Sequence, residues 1–388
     1  MDRVTGSRTR TTVDGFQVDA FVPFPLPPSP PLELTGDDHE LIQRAALALG
    51  RLDSVTSVLP DPRLFIYFYI RKEALLSSQI EGTQSSFSDL LLFESEEAPG
   101  VPIEDVQEVS SYVAAMEHGL KRLREGFPLS LRLLREIHGI LLSKGRGASK
   151  RPGEFRTTQN WVGGSRADRA IYVPPPPQEV GPSLDALEKF LHNEPVRTST
   201  LIKAALCHVQ FETIHPFLDG NGRLGRLLIT FLLCAEGVLA EPSLYLSLYL
   251  KTHRATYYDY LQRVRNDGDW EGWIRFFMTG VLETAEQAVA TAKTTLALFD
   301  THRAQIAKLG RAAGSVLRVH DHMQQKPLFN IAETAKALSL SPPTVAAAIE
   351  QLEKLGLVKE ITKKERNRIF SYEPYVALLN QGTEPLRE

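Results

Sequence analysis

The chain has 388 residues, of which 43% are hydrophobic and 23% charged, so it has room for two or three domains and a sizeable core. Lys plus Arg (44) against Asp plus Glu (47) gives a formal net charge of −3, which excludes a global attraction to nucleic acid or an anionic membrane. The first residues hold no apolar leader, and the apolar run at 227–235 is far too short to span a bilayer, so a soluble, cytoplasmic protein without a membrane partner is expected.

Residues 1–36 read as extended and irregular. The stretch Phe24-Pro25-Leu26-Pro27-Pro28-Ser29-Pro30-Pro31 cannot be helical, because each proline lacks an N–H and restricts its predecessor. It is expected to lie on the surface as a polyproline arm. Helical spacing begins at Asp37, with Leu41, Ile42, Ala45, Ala46 and Leu49 on one face and Gly50 as a stop. A second helix is predicted over 62–81, closed by Gly82. Further helices are predicted over 86–93, 103–125 and 130–142, with a loop at 99–102. Glycines at 145, 147, 153, 163 and 164 then break the pattern. The runs 160–162 and 170–173 are β-prone and read as a hairpin, the only clear β signal in the first 300 residues. Helices are predicted again over 183–280 and 282–309. Cys207 and Cys234, the only two cysteines, fall in apolar helical sequence and read as small buried hydrophobes.

The last stretch, 310–385, reads as a separate module. A short helix at 330–338 and a turn precede Ser341-Pro342, an N-cap followed by proline at the first helical position. A helix then runs to Gly356, and strands near 357–359 and 368–372 flank a charged tip. This is the layout of a winged helix. Its tip, 359–368, carries five basic residues against two acidic ones, but its second helix presents Thr344, three alanines, Glu350, Gln351 and Glu353 before reaching Lys354. DNA binding by 310–388 is therefore expected to be weak, with protein contact slightly favoured.

The chemistry is concentrated in His215-Pro216-Phe217-Leu218-Asp219-Gly220-Asn221-Gly222-Arg223-Leu224-Gly225-Arg226. A glycine-rich loop here opens onto a helix N-terminus, whose unpaired N–H groups and positive dipole end favour an anion. Gly220 and Gly222 allow close backbone approach. Arg223 and Arg226 can fork onto phosphate oxygens. Asp219 is placed to hold Mg2+ against two phosphates. His215 is a base suited to near-neutral pH. Together these are the parts that phosphoryl-type transfer requires.

The segment resembles the Fic family signature HPFx(D/E)GNGRxxR at every defined position. The resemblance implies a mainly α protein: a helical Fic core over 121–285, preceded by an arm and helices at 1–120, with a β-hairpin flap beside the site. It implies transfer of AMP from ATP to a Ser, Thr or Tyr hydroxyl of a target protein. His215 would be the base, Asp219 the Mg2+ ligand, and Gly220, Asn221, Gly222, Arg223, Leu224, Gly225 and Arg226 the phosphate site. The hairpin at 160–173 would be the flap that docks the target by strand addition. Tyr257 and Tyr258 lie where the family places aromatics near adenine, with core packing the even alternative. His208 reads as a packed helix residue. Ser77-Ser78-Gln79-Ile80-Glu81-Gly82 resembles the inhibitory motif (S/T)xxxE(G/N). Ser77, Glu81 and Gly82 would then form a restraint in which Glu81 pairs with Arg226. Removal of AMP from a modified target, transfer of another phosphate-containing group, and a DNA-binding regulator with a nucleotide-sensing core stay open. So do self-modification and a homodimer.

Overall fold

The computed structural model describes residues 3–58, 62–94, 102–362 and 368–385. The chain opens with β1 (Gly6–Val13) and β2 (Phe16–Pro23), an antiparallel hairpin in register from Gly6 opposite Pro23 to Val13 opposite Phe16. This corrects the expected irregular arm. Its two-residue turn, Asp14-Gly15, has φ +50° and +83°, the left-handed pair that matches strand twist in a tight hairpin. The proline-rich stretch after it is pinned rather than loose: the Arg3 guanidinium donates to the Pro30 and Pro31 carbonyls and to Glu271.

The helices of the first half are α1 (Gly36–Val58), α2 (Pro62–Ile80), α3 (Phe87–Glu94), α4 (Ile103–Arg124), α5 (Leu131–Leu141) and α6 (Pro177–Leu191). Those that follow are α7 (Thr200–Ile214), α8 (Asn221–Ala235), α9 (Ser247–Thr252), α10 (Arg254–Asp267) and α11 (Trp270–Ile306). α1 passes straight through Gly50, and α11 through Gly280, where breaks were predicted. Packing of α1 along α11 outweighs the roughly 1 kcal/mol helix cost of a glycine. The predicted loop at 99–102 lies, except for Pro102, outside the described residues; Pro102 is the N-cap of α4. α7 is buried on nearly every side, as a helix apolar all round must be, and packs against α8. Cys207 is buried within α7, whereas Cys234 on α8 is only half-buried, a departure from expectation.

The flap makes a single antiparallel bridge, Val162 to Tyr172, in place of the expected two-stranded hairpin. It leans on the N-terminal hairpin, where Val13, Val18, Ala20, Ala167 and Val173 bury a small core of their own.

The C-terminal part comprises α12 (Ala313–Gln325), β3 (Leu328–Asn330), α13 (Ile331–Leu338), α14 (Pro342–Lys354), β4 (Lys359–Glu360), β5 (Ile369–Ser371) and α15 (Glu373–Asn380). Ser341 caps α14 as predicted, its hydroxyl accepting from the Thr344 N–H at 3.3 Å. The sheet has order β3-β5-β4, so β3 adds a strand that the sequence reading lacked. Residues 363–367 of the charged tip lie outside the described residues. Among the described residues no helix is long and apolar enough to cross a membrane.

Candidate active site

The site forms where α7 ends and α8 begins. His215 closes α7 in the left-handed region (φ 48°, ψ 60°), and Gly220, also left-handed at φ 76°, is the N-cap of α8. Between these two reversals the loop is tied to itself and to its neighbours. The Asn221 side chain accepts from the Phe217 N–H and donates to the Phe217 carbonyl, both at 2.9 Å. Asn221 is 2% exposed, so its side chain braces the loop rather than facing a ligand. Asn160, from the flap, donates to the same carbonyl at 3.0 Å.

Two residues that the sequence did not single out hold the loop from behind. His138 on α5 stacks on Phe217, ring centroids 3.7 Å apart and nearly parallel. Its Nδ1 accepts from the Gly153 N–H at 2.8 Å, which leaves the proton on Nε2 to donate to the Asp219 carbonyl at 3.0 Å. Burial drives the His138 pKa down to about 4, so the ring stays neutral and its tautomer fixed. Arg156, 3% exposed, donates to the carbonyls of His215 and Pro175 at 2.9 and 2.5 Å. A buried arginine with carbonyl partners leaves no sequence signature; the stretch around it reads only as loop.

His215 itself is half-buried and has its pKa lowered to about 4, by burial first and then by the positive charges of Arg265 and Arg156. It is thus neutral near pH 7 and able to accept a proton. It sits between two cavities. One, of about 270 Å³, is lined by Glu81, Glu108, Arg146, Asp219 and the loop 218–223. The other, of about 380 Å³, is lined by Tyr258, Leu261, Arg254, Arg265, Glu212 and the flap residues Val162, Gly163, Ile171 and Tyr172.

The predicted arginines diverge. Arg223 lies against Glu108 at 2.7 Å and Asp219 at 3.5 Å. Arg226 turns to the end of α2: Nε donates to the Ser77 hydroxyl at 2.7 Å, and Nη2 to the Ser77 carbonyl at 2.9 Å and to Glu81 Oε1 at 2.7 Å. Burial opposes the charge of Glu81, but Arg226 prevails and holds the carboxyl below its ordinary pKa. A Cβ at Gly222 on the facing helix would stand 2.3 Å from Glu81 Oε1, so a larger residue there would displace that carboxylate. Likewise a Cβ at Gly225 would stand 2.5 Å from Glu212 Oε1. Leu224 is buried in the core beneath the loop. Gly82, at φ +101°, ends α2 and lets Glu81 face the loop.

Tyr257 and Tyr258 part company. Tyr257 is 1% exposed and its hydroxyl meets His208 Nε2 at 2.8 Å, which places both in the core. Tyr258 is 39% exposed and walls the second cavity. Asp219 stands on the rim of the first cavity with its side chain 38% exposed. One accessible carboxylate beside an anion cradle suits Mg2+, which typically takes one or two carboxylates and completes its shell with phosphate and water.

Comparison with known proteins places this geometry. Residues 39–121 match the Fic/DOC family N-terminal region, residues 128–233 the Fic/DOC family, and residues 315–359 a winged helix-turn-helix DNA-binding family. The Protein adenylyltransferase Fic of Culex quinquefasciatus is 35% identical over 184 residues, 46% of this chain and 33% of that protein. The protein of the same name from Aedes aegypti is 34% identical over 179 residues, again 46% and 33%. The chain therefore spans about a third of the length of these relatives. A Fic family protein from Desulfovibrio desulfuricans G20 shares the fold with a TM-score of 0.59 at 20% identity, over 88% of this chain and 97% of that one. The chain is a Fic-domain protein that carries a C-terminal winged helix-turn-helix domain.

Proposed function

We propose that the protein transfers AMP from ATP to a hydroxyl of a target protein, and that Glu81 restrains it. The observation that carries this reading is the junction at His215: a neutral base stands between an anion cradle and a second cavity walled by the flap. The hydroxyl oxygen bonds to the α-phosphorus, its proton passes to His215, and the bond to the bridging oxygen breaks to release pyrophosphate. The loop N–H groups and the positive end of α8 bind the phosphates. Asp219 would hold Mg2+, which neutralises phosphate charge when bound. Arg226 is the cation for the terminal phosphate, and Glu81 occupies it. A carboxylate at 2.7 Å and a phosphate oxygen compete for the same guanidinium. Two curated relatives named adenylyltransferases support the choice of AMP as the group moved.

The test uses α-labelled ATP with Mg2+ and three forms: wild type, Glu81→Gly, and Glu81→Gly with His215→Ala. Label on protein in Glu81→Gly, little in wild type and none in the double variant is expected. If no form labels itself or a cell lysate, AMP is not the group transferred.

A further inference from the structure

The winged-helix part reaches back to the catalytic half of the molecule through α15. Tyr375 of that helix packs against Phe68 of α2 and Phe299 of α11, with ring centroids 5.4 and 4.9 Å apart. Just before α15, the Tyr372 hydroxyl meets His302 of α11 at 2.6 Å and His320 of α12 at 3.2 Å. Tyr372 directly follows β5, the middle strand of the wing sheet, so sheet and core share one anchor. After α15 the chain runs as a short strap, 381–385, over α2 and α9.

The strap is gripped by its backbone. Lys72 donates to the Gln381 carbonyl at 2.8 Å, Gln79 to the Thr383 carbonyl at 2.8 Å, and Lys251 to the carbonyls of Gly382, at 3.4 Å, and Glu384. Four successive carbonyls thus meet three side chains, none more than 6% exposed. Burial lowers the pKa of both lysines to about 8, and the strap's own Glu384 carboxylate opposes that loss of charge. Without the strap, two ammonium groups and an amide would be left buried and unpaired, so α2 would have to shift to hydrate them. Gln79 stands two residues before Glu81 and also donates to the Ser85 carbonyl at 2.8 Å, so one side chain bolts the strap to the turn that carries Glu81. Gly382 fits because it is left-handed, φ +76°, and a Cβ there would stand 2.9 Å from Leu248 Cδ1 of α9.

We propose that the winged-helix domain acts on catalysis: through α15 and the strap it holds the end of α2 so that Glu81 stays on Arg226, and release of the strap lifts the restraint. This role rests on the AMP-transfer reading for the activity that is controlled, whereas the coupling of the strap to Glu81 is separate from it. Gly382 lies on the strap alone, and Lys251 grips it from α9, so each can be changed without altering α2 or the loop from His215 to Arg226.

The experiment compares full-length wild type, Gly382→Val and Lys251→Met by amide hydrogen exchange without nucleotide and by incorporation of α-labelled ATP. In both variants exchange at 381–385 and at 77–82 is expected to be about tenfold faster, with α14 keeping its wild-type protection. Label incorporation should rise several-fold over wild type, yet neither substitution should add to incorporation in the Glu81→Gly background, because both routes free the same arginine. Lys251→Arg, which still donates to the strap, should behave as wild type. Wild-type exchange at 77–82 in both variants, incorporation no higher than wild type while Glu81→Gly is active, or a full further rise on top of Glu81→Gly would each overturn the proposal. If exchange responds as expected and no form incorporates label, the coupling stands and the AMP-transfer reading fails.

Discussion

At the scale of single residues, the contact between Arg226, Ser77 and Glu81 is the most informative. Removing Glu81 leaves a buried guanidinium with Ser77 alone. Glu81→Gly should therefore lose about 1–3 kcal/mol without nucleotide, and ATP should raise its melting temperature more than that of wild type, because ligand binding restores a partner. Equal thermal shifts on adding ATP to the two forms would count against Arg226 as a phosphate ligand. His215 gives a second prediction. Its pKa lies at about 4 instead of 6.5, so the neutral base persists as acid is added. Label incorporation by Glu81→Gly should stay level through pH 6.5 and drop only towards about 4, as the ring takes up a proton. A midpoint near 6.5 would show that another group governs the step. His138→Ala removes a stack and two hydrogen bonds at 2.8 and 3.0 Å; it should lower stability by about 2 kcal/mol and depress labelling while leaving the Glu81–Arg226 pair in place. The loop from His215 to Arg226 was legible because base, glycines and arginines are adjacent in the chain. His138 and Arg156 were not, because they act through backbone carbonyls 81 and 59 residues away, and no local pattern encodes such a contact.

At the scale of elements, α2 does two things. One end presents Glu81 to the loop, and its far side is held by the segment after α15. Lys72 donates to the Gln381 carbonyl, and Gln79, fully buried, donates to the carbonyls of Ser85 and Thr383, each at 2.8 Å. Lys251 on α9 secures the same segment through the Gly382 and Glu384 carbonyls. Ending the chain after Asn380 should therefore speed amide exchange in α2 and raise AMP incorporation above that of wild type. Exchange in α2 unchanged by the truncation would show that the segment does not support it. Helix spacing located α2 to α5, α13 and α14 to within a few residues, since apolar periodicity reports burial directly, but it ran α6 to α10 together with the start of α11 and missed α12 and α15. The hairpin at 6–23 was missed although its signal was present: Asp14-Gly15 lies between β-prone runs, and the nearby prolines drew the reading towards an irregular arm. The flap misled in the opposite sense. Its β-prone runs meet each other only at Val162 and Tyr172, and the flap packs its apolar residues against the N-terminal hairpin, which no local pattern could announce.

At the scale of the whole molecule, buried histidines set the response to acid. His138, His208, His215 and His320 each have a pKa near 4, chiefly through burial. Between 6.5 and about 4 the unfolded chain binds protons there that the folded chain does not, so stability falls as pH falls. Glu73 and Glu212, raised to about 7 by burial, and Glu108, also raised by burial, act in the opposite sense over part of that range, but they are three groups against four, and burial lowers His302 and His322 as well. Melting temperature should therefore decline as pH drops from 6.5, a trend that differential scanning fluorimetry would check; a rise would contradict the buried, neutral histidines. The winged-helix part is joined to the core by more than its connecting chain: Tyr375 packs against Phe68 of α2 and Phe299 of α11. The segment after α15 carries a further consequence for how the protein is made. Gln79 and Thr383 are 304 positions apart, so α2 lacks its backing until almost the whole described chain has left the ribosome. A nascent or shortened chain would possess the complete loop from His215 to Arg226 before it possesses a firmly seated Glu81.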